Sequence, residues 1–110
     1  MKYIPERGDI IWLNFQPQVG SEQSGRRPAI VLSPQKYNQR TGLMICCPIT
    51  SQIKGYPFEI PILLRGQQSV ILSDQVKSLD WNARNAEYEC TIDRETLHRC
   101  LERLIMILEG

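Results

Sequence analysis

The sequence has little of what a strongly charged or membrane-bound protein needs. Its formal net charge is only +1 over 110 residues, which excludes the protein-wide basic field of an architectural DNA-binding protein. Any nucleic-acid site must therefore be a local patch. No apolar run approaches the about 20 residues of a membrane-spanning helix, and Met1–Glu6 lacks the apolar core of a signal peptide. We therefore expect a cytoplasmic protein with no membrane partner.

Histidine and cysteine are sparse in ways that limit the chemistry. His98 is the only histidine, which excludes an acid–base pair of two histidines within one chain. The four cysteines contain no Cys-x-x-Cys spacing, and the adjacent Cys46 and Cys47 would point to opposite faces of a strand. We expect buried free thiols, as in a reducing compartment, with no metal site and no cofactor.

The residues that are present suit one compact β-rich domain spanning 1–110, since 42% of them are hydrophobic. Short apolar runs bounded by proline, glycine and polar turns predict strands. These runs are Asp9–Phe15, Pro28–Ser33, Leu43–Thr50, Phe58–Leu64, Ser69–Leu72 and Ala86–Thr91. The segment Gln35–Gly42 is expected to hold a short helical turn, and Asp74–Ser78 a polar turn.

The carboxy-terminal segment has helical rather than strand periodicity. From Leu97 the apolar residues recur at i, i+3, i+4, i+7, i+8 and i+11, and Asp93 is positioned to act as the N-cap. The order of five to seven short strands followed by one amphipathic helix predicts a small, strongly bent β-barrel with a helix packed against it.

The stretch Gly20–Ser33 combines a polar loop with a strand expected to be buried on both faces. Arg27 precedes Pro28, which favours extended backbone at the mouth of that strand. If this strand pairs antiparallel with Leu43–Thr50 so that Ser33 faces Met44, the constant index sum places Arg27 opposite Thr50.

That register would bring a guanidinium, a hydroxyl and the Glu22 carboxylate into one pocket. A guanidinium matches two phosphate oxygens, a hydroxyl adds a donor, and a carboxylate can accept a proton. Such a set suits phosphodiester cleavage without a metal, because RNA supplies its own 2′-hydroxyl nucleophile. Each residue alone has a simpler interpretation: Arg27 as a solvated or ion-paired charge, Thr50 as a strand end, Glu22 as solvated surface.

The sequence resembles the MazF/PemK family of toxin endoribonucleases, in the MazF branch. The resemblance covers nearly the whole chain and is carried by five motifs: Gly8–Trp12, Gly20–Pro34, Cys47–Thr50, Lys54–Glu59 and Leu72–Ser78. It implies a mainly β fold with a C-terminal helix, namely a small SH3-like barrel of the MazF/CcdB plasmid-toxin type, acting as a homodimer. It also implies metal-independent cleavage of single-stranded RNA to a 2′,3′-cyclic phosphate and a 5′-hydroxyl, and neutralisation by an acidic, MazE-like antitoxin.

The resemblance also implies site residues. Arg27 and Thr50 match the essential arginine and threonine of the family, and Glu22 matches a loop glutamate. The residues expected to bind RNA are Arg26, Gln23, Lys54, Tyr56, Asp74, Gln75 and Lys77. For the base that takes the 2′-proton, Glu22 or a positioned water is chemically easier, because arginine is almost never deprotonated in a protein. The family pattern instead favours the arginine.

Two other functions share the same barrel. A gyrase-poisoning toxin of this fold has an aromatic, apolar C-terminus, whereas this sequence ends Leu108-Glu109-Gly110. A non-catalytic barrel that binds RNA or peptides would keep the pocket but yield no cleavage product. Trp12 and Trp81 are expected in the core or at an interface rather than as base-stacking platforms.

Overall fold

The computed structural model describes residues 2–15 and 25–110, which form a bent antiparallel sheet and two helices. The strands follow the order β4-β5-β3-β2-β1-β7, and β6 pairs with β3 beside this path. In chain order the elements are β1 (Asp9–Asn14), β2 (Arg26–Val31), α1 (Gln35–Thr41), β3 (Leu43–Thr50), β4 (Glu59–Leu64), β5 (Gln67–Leu72), β6 (Lys77–Asp80), β7 (Glu87–Thr91) and α2 (Arg94–Glu109). The predicted fold class, mainly β with a C-terminal helix, is confirmed.

The bend of the sheet originates at β3, which changes partners along its length. Its first half, Leu43–Cys46, pairs with β6, whereas Ile49 and Thr50 pair with β5. Pro48 falls between these two segments, where its missing N–H interrupts neither ladder. The end of β3 that carries Thr50 therefore turns toward the β4–β5 hairpin.

The structure corrects one boundary in the sequence analysis. Lys77 and Ser78, expected in a polar turn, begin strand β6, where Lys77 pairs with Cys46. A short exposed edge strand of this kind lacks the apolar alternation by which a strand is predicted, because its burial pattern is mostly exposed. The expected helical turn at Gln35–Gly42 is confirmed as α1.

Apolar residues of the central strands alternate between two clusters, one on each side of the sheet. Ile30 and Cys47 belong to the cluster beneath α2, whereas Val31 and Cys46 belong to the cluster around Trp81. This alternation confirms that β2 is buried on both faces and that the adjacent cysteines point to opposite sides. It also fixes the β2–β3 register, since a slip of one residue would move each side chain to the other cluster.

Helix α2 packs one face against the sheet and leaves its last turns uncovered. Asp93 caps it as predicted, accepting a hydrogen bond from the Thr96 N–H at 3.0 Å. The hydrogen bonds from Thr96 also lower the pKa of Asp93. Near the end, Met106 and Leu108 are 66% and 73% exposed. Within the described residues, neither helix combines the length and the apolar content that crossing a bilayer requires.

Candidate active site

The register between β2 and β3 positions the two central candidate residues. Ala29 pairs with Pro48, Ile30 with Cys47 and Val31 with Cys46, so each pair has the index sum that the sequence analysis predicted. Continuing the same register by two residues puts Arg27 opposite Thr50. Both residues line one cavity of about 360 Å³, which we call the strand cavity.

The strand cavity is rich in guanidinium groups. Its described lining contains three arginines and no carboxylate, and Glu87 and Glu89 pair with two of these arginines, so Arg27 is the described guanidinium that offers its charge to an anion. The residues that line it are Trp12, Arg26, Arg27, Pro28, Ile49, Thr50, Ser51, Gln52, Leu64, Arg65, Gln67 and Ser69. A single nucleotide phosphate with its sugar fits a space of this size.

Arg26 and Arg27 are neighbours in sequence but differ in what holds them. Arg26 pairs with the Glu87 carboxylate and donates hydrogen bonds to Asn14 Oδ1 at 3.1 Å and to the Asn85 carbonyl at 3.0 Å. These contacts tie β2 to β1 and β7 and use most of its donors. Arg27 is exposed and makes no hydrogen bond or ion pair with another described residue. Among the described residues, fewer acceptors therefore compete for the N–H donors of Arg27 than for those of Arg26.

Thr50 lies at the junction of the strand cavity and a second one. Its Oγ1 accepts a hydrogen bond from the Gln52 N–H at 3.1 Å, which leaves the hydroxyl proton available for an incoming oxygen. Thr50 and Gln52 line both cavities, so the two spaces lie side by side, and we call them together the groove.

The second cavity, which we call the loop cavity, has a volume of about 210 Å³. Four of the residues predicted to bind RNA line it, namely Lys54, Tyr56, Asp74 and Gln75. Its loop is held by Glu59, whose carboxylate accepts hydrogen bonds from the Lys54 N–H at 3.1 Å and the Gly55 N–H at 2.9 Å. Its lining thus mixes one cation with two carboxylates, and Tyr56 is 60% exposed.

One predicted site residue, Lys77, lies on β6 and lines neither cavity. Glu22 and Gln23 fall outside the described residues. Among the residues that are described, no cluster of three His, Cys, Asp or Glu side chains could hold a metal ion.

A cluster that the sequence analysis does not predict forms one wall of the strand cavity. Arg65 donates two hydrogen bonds to Glu89, and its guanidinium carbon lies 5.0 Å from the centre of the Trp12 ring. The Trp12 indole N–H also donates to Glu89 at 2.9 Å. The hydrogen bonds from Arg65 and Trp12 lower the pKa of Glu89, and the same pairing raises the pKa of Arg65. The one signal in the sequence is the Arg65-Gly66 pair between two apolar runs, which is typical of a tight hairpin.

A third and larger cavity, of about 660 Å³, shares Ser69 with the strand cavity and is lined mainly by apolar residues. It lies between the β4–β5 hairpin and the start of α2, with Ile62, Leu63 and Ile92 among its lining residues. Leu63 is 71% exposed there. This surface has the composition of a contact region rather than of a site for phosphate chemistry.

Comparisons with known proteins identify relatives along the whole chain. The model of a family described as PemK-like, MazF-like toxin of type II toxin-antitoxin system matches residues 6–108. The chain is 50% identical over 109 residues to the endoribonuclease toxin MazF of Escherichia coli, covering 99% of this chain and 97% of that protein. It is 34% identical over 110 residues to the endoribonuclease toxin ChpB of the same species, covering 94% of each.

Solved structures show the same similarity. MazF from Deinococcus radiodurans superimposes with a TM-score of 0.87 at 46% identity, covering 99% of this chain and all of that one. A chain of the MazE–MazF complex from the same organism superimposes with a TM-score of 0.86 at 42% identity, covering 98% of both. The fold described above is therefore shared by proteins that are also similar in sequence.

Proposed function

Because the chain belongs to the PemK-like, MazF-like toxins of type II toxin-antitoxin systems, we propose that it is an endoribonuclease that cleaves single-stranded RNA in the groove through Thr50. The observation that carries this proposal is that Arg27 and Thr50, 23 positions apart in the printed sequence, line one cavity rich in guanidinium groups. By cleaving messenger RNA the protein would stop translation and growth.

The proposed reaction is an internal transesterification. The 2′-oxygen attacks the adjacent phosphorus, the bond from phosphorus to the 5′-oxygen breaks, and the products are a 2′,3′-cyclic phosphate and a 5′-hydroxyl. The 2′-proton passes to a base and the leaving 5′-oxygen takes up a proton from water, so atoms and charge balance. The base is the Glu22 carboxylate or a water, since an arginine is almost never deprotonated in a protein.

Arg27 and Thr50 act on the phosphate as charge builds up on it. Two N–H groups of the guanidinium match two phosphate oxygens, and the Thr50 hydroxyl donates to a non-bridging oxygen. Donors fixed in this way stabilise the pentavalent state more than the ground state, which lowers the barrier. No step requires a metal or a cofactor.

The loop cavity supports recognition of the RNA on one side of the cleaved bond. Tyr56 offers an exposed ring for stacking, and Asp74 and Gln75 offer hydrogen-bonding groups for base edges. Lys54 supplies a positive charge for the backbone. Arg26, Lys77 and Gln23 stay predictions as RNA contacts, since Arg26 is engaged by Glu87 and Lys77 lines neither cavity.

Two protein partners belong to the same proposal. An acidic, MazE-like antitoxin would neutralise the toxin by occupying the guanidinium-rich groove, consistent with the MazE–MazF complex from Deinococcus radiodurans. A second copy would cover the apolar surface around the third cavity, where Leu63 is exposed. We locate the enzyme in the cytoplasm, where messenger RNA is available and its four free thiols stay reduced.

The proposal is tested by incubating the purified protein with a long RNA in excess chelator and mapping the new 5′ ends. We expect cuts at one short sequence, with 5′ ends that a polynucleotide kinase phosphorylates directly because they are hydroxyls. A matched DNA of the same sequence should stay intact, since it lacks the 2′-oxygen. Uncut RNA, or 5′-phosphate ends, would contradict the proposal. The gyrase-poisoning alternative is not favoured, because the relatives at 34% and 50% identity are named endoribonucleases.

A further inference from the structure

Arg65 occupies an unusual backbone position for an arginine. It lies at the tip of the β4–β5 hairpin with φ of 52°, and Gly66 follows with φ of 76°. Positive φ at both central residues is the pattern of a type I′ turn, in which asparagine or aspartate before glycine is the favoured choice. A residue that breaks a local preference in this way marks a position where the side chain is needed for something else.

The side chain of Arg65 is fixed by two contacts in the wall of the strand cavity. Glu89 accepts the Arg65 Nε–H at 3.1 Å and an Nη2 N–H at 2.6 Å, which sets the plane of the guanidinium. The Trp12 ring lies beneath that plane, 5.0 Å from the guanidinium carbon. Glu89 is itself held by the Trp12 indole N–H, so the three groups form one connected unit.

This unit leaves much of the Arg65 side chain uncovered. The side chain remains 65% exposed although Glu89 binds its Nε/Nη2 edge and its guanidinium carbon lies over the Trp12 ring. The same residue lines the strand cavity beside Arg27 and Thr50. The open face of a fixed guanidinium plane is a stacking surface for an unpaired nucleobase.

Arg65 is less suited than Arg27 to a phosphate because Glu89 pairs with its charge. The same carboxylate occupies the Nε/Nη2 edge, one of the two edges by which a guanidinium binds two phosphate oxygens. Arg27, in the same cavity, has neither constraint among the described residues. Arg27 is therefore assigned to the phosphate and Arg65 to a neighbouring base.

We propose that Arg65, clamped by Glu89 against Trp12, is the stacking platform for one unpaired base next to the cleaved phosphate. This inference rests on the proposed endoribonuclease function and adds a base-binding position to it. The platform is a binding and specificity element, and it takes no part in proton transfer.

The test measures binding of an RNA that cannot be cut. The cleavage site is first mapped with the wild-type protein on all-ribose RNA. An oligonucleotide covering that site is then made with a 2′-deoxy residue at the attacking position, together with a series in which one base at a time is abasic. Affinity for each is measured with the wild type, with Arg65→Asn and Arg65→Lys, and with Arg40→Ala, an exposed control outside both cavities.

We expect one position beside the cleaved bond to lose about tenfold in affinity when it is abasic, as for a stacked base. Arg65→Asn should weaken binding of the intact oligonucleotide by a similar factor and abolish the penalty at that position alone. Arg65→Lys should behave in the same way, because it keeps the charge but not the plane. Arg40→Ala should match the wild type.

Two further readouts separate stacking from alternatives. Arg65→Asn should leave the thermal midpoint close to that of the wild type, because the turn preference of asparagine offsets the lost contacts to Glu89 and Trp12, which excludes misfolding as the cause of weak binding. The salt dependence of binding should stay unchanged in the double variant Arg65→Asn/Glu89→Gln, which removes the ion pair without leaving Glu89 unpaired, whereas Arg27→Ala should lower the slope of log K against log salt by about 0.7, as for one lost phosphate contact.

Other outcomes overturn the platform. If no abasic penalty depends on Arg65, or if the double variant Arg65→Asn/Glu89→Gln lowers the salt slope as Arg27→Ala does, Arg65 is not a stacking surface. Either result in a wild type that cuts RNA leaves the endoribonuclease proposal intact. A wild type that cuts no RNA refutes that proposal and the platform with it.

Discussion

The strand cavity and the loop cavity share Thr50 but are built on different supports. The strand cavity stands on hydrogen-bonded strands, and its described lining holds three arginines and no carboxylate. The loop cavity stands on residues 51–58, which form no helix or strand and are tied down through Glu59. We infer from this difference that the phosphate is bound where hydrogen-bonded strands hold the side chains rigidly. The bases of the RNA would then be recognised by a loop whose sequence can vary without disturbing the sheet.

Removing Arg27 from the strand cavity should have the largest effect. We expect Arg27→Ala to lower kcat about 10³-fold, because a preorganised charged donor to the pentavalent phosphate is lost. The thermal midpoint should be unchanged, since Arg27 is exposed and has no described side-chain partner. Single-turnover cleavage and a thermal scan measure both. A variant that keeps near-full kcat would exclude Arg27 from the chemistry.

Its neighbour Arg26 should behave in the opposite way. Arg26→Ala removes contacts to Glu87, Asn14 and Asn85 that join three strands. We expect the free energy of unfolding to fall by about 2 kcal/mol, measured by urea denaturation, with a smaller change in kcat than for Arg27→Ala. A stable Arg26→Ala variant with strongly reduced kcat would reverse the roles assigned to the two arginines.

The loop cavity should respond in specificity rather than in rate. Glu59→Ala removes the acceptor for the Lys54 and Gly55 N–H groups, so the loop loses its fixed shape. We expect KM for the preferred sequence to rise about fivefold, as for loss of about 1 kcal/mol in positioning, with kcat little changed. Sequencing of the 5′ ends should show additional cut sites. Unchanged site preference would mean that this loop does not read the RNA.

The smallest effect concerns a buried thiol in the core cluster around Trp81. Burial raises the pKa of Cys46 to about 12, so at pH 8 only about one thiol in 10⁴ is ionised. The raised pKa keeps the Cys46 thiol protonated at every pH well below 12, and a protonated thiol is a poor nucleophile. Cys46 should therefore resist alkylation in the native protein while the half-buried Cys90 reacts. Peptide mass spectrometry after brief iodoacetamide treatment distinguishes them. Rapid labelling of Cys46 would show that the central strands open.

The pairing of Arg27 with Thr50 could be predicted because antiparallel strands obey a constant index sum. Once the two apolar runs were identified, one facing pair fixed all the others. The engagement of Arg26 could not be predicted, because it depends on β1 pairing with β7, 75 or more positions away in the chain. Sequence alone gives no register for such a distant pair.

The contacts of Arg65 and Lys77 also could not be predicted from the sequence, although their partners are nearer in the chain. Arg65, at the tip of the β4–β5 hairpin, reaches Trp12 only if β3 bends far enough between its partner strands β6 and β5. The amino-acid composition does not predict the size of that bend. Lys77 seemed to belong to a recognition loop because its motif continues from Asp74, but backbone pairing with Cys46 draws it into β6. For Lys77, the motif therefore predicted neither the strand in which it lies nor its position outside the two cavities.

The central claim is that Arg27 and Thr50 act on one phosphate, and a double-mutant cycle tests it most directly. Single-turnover cleavage is measured for the wild type, Arg27→Ala, Thr50→Val and the double variant. If the residues share the transition state, removing Thr50 should cost about 10²-fold in the wild type but less than about tenfold once Arg27 is gone. Full multiplication of the two losses would contradict the claim, because it would mean that the residues act independently.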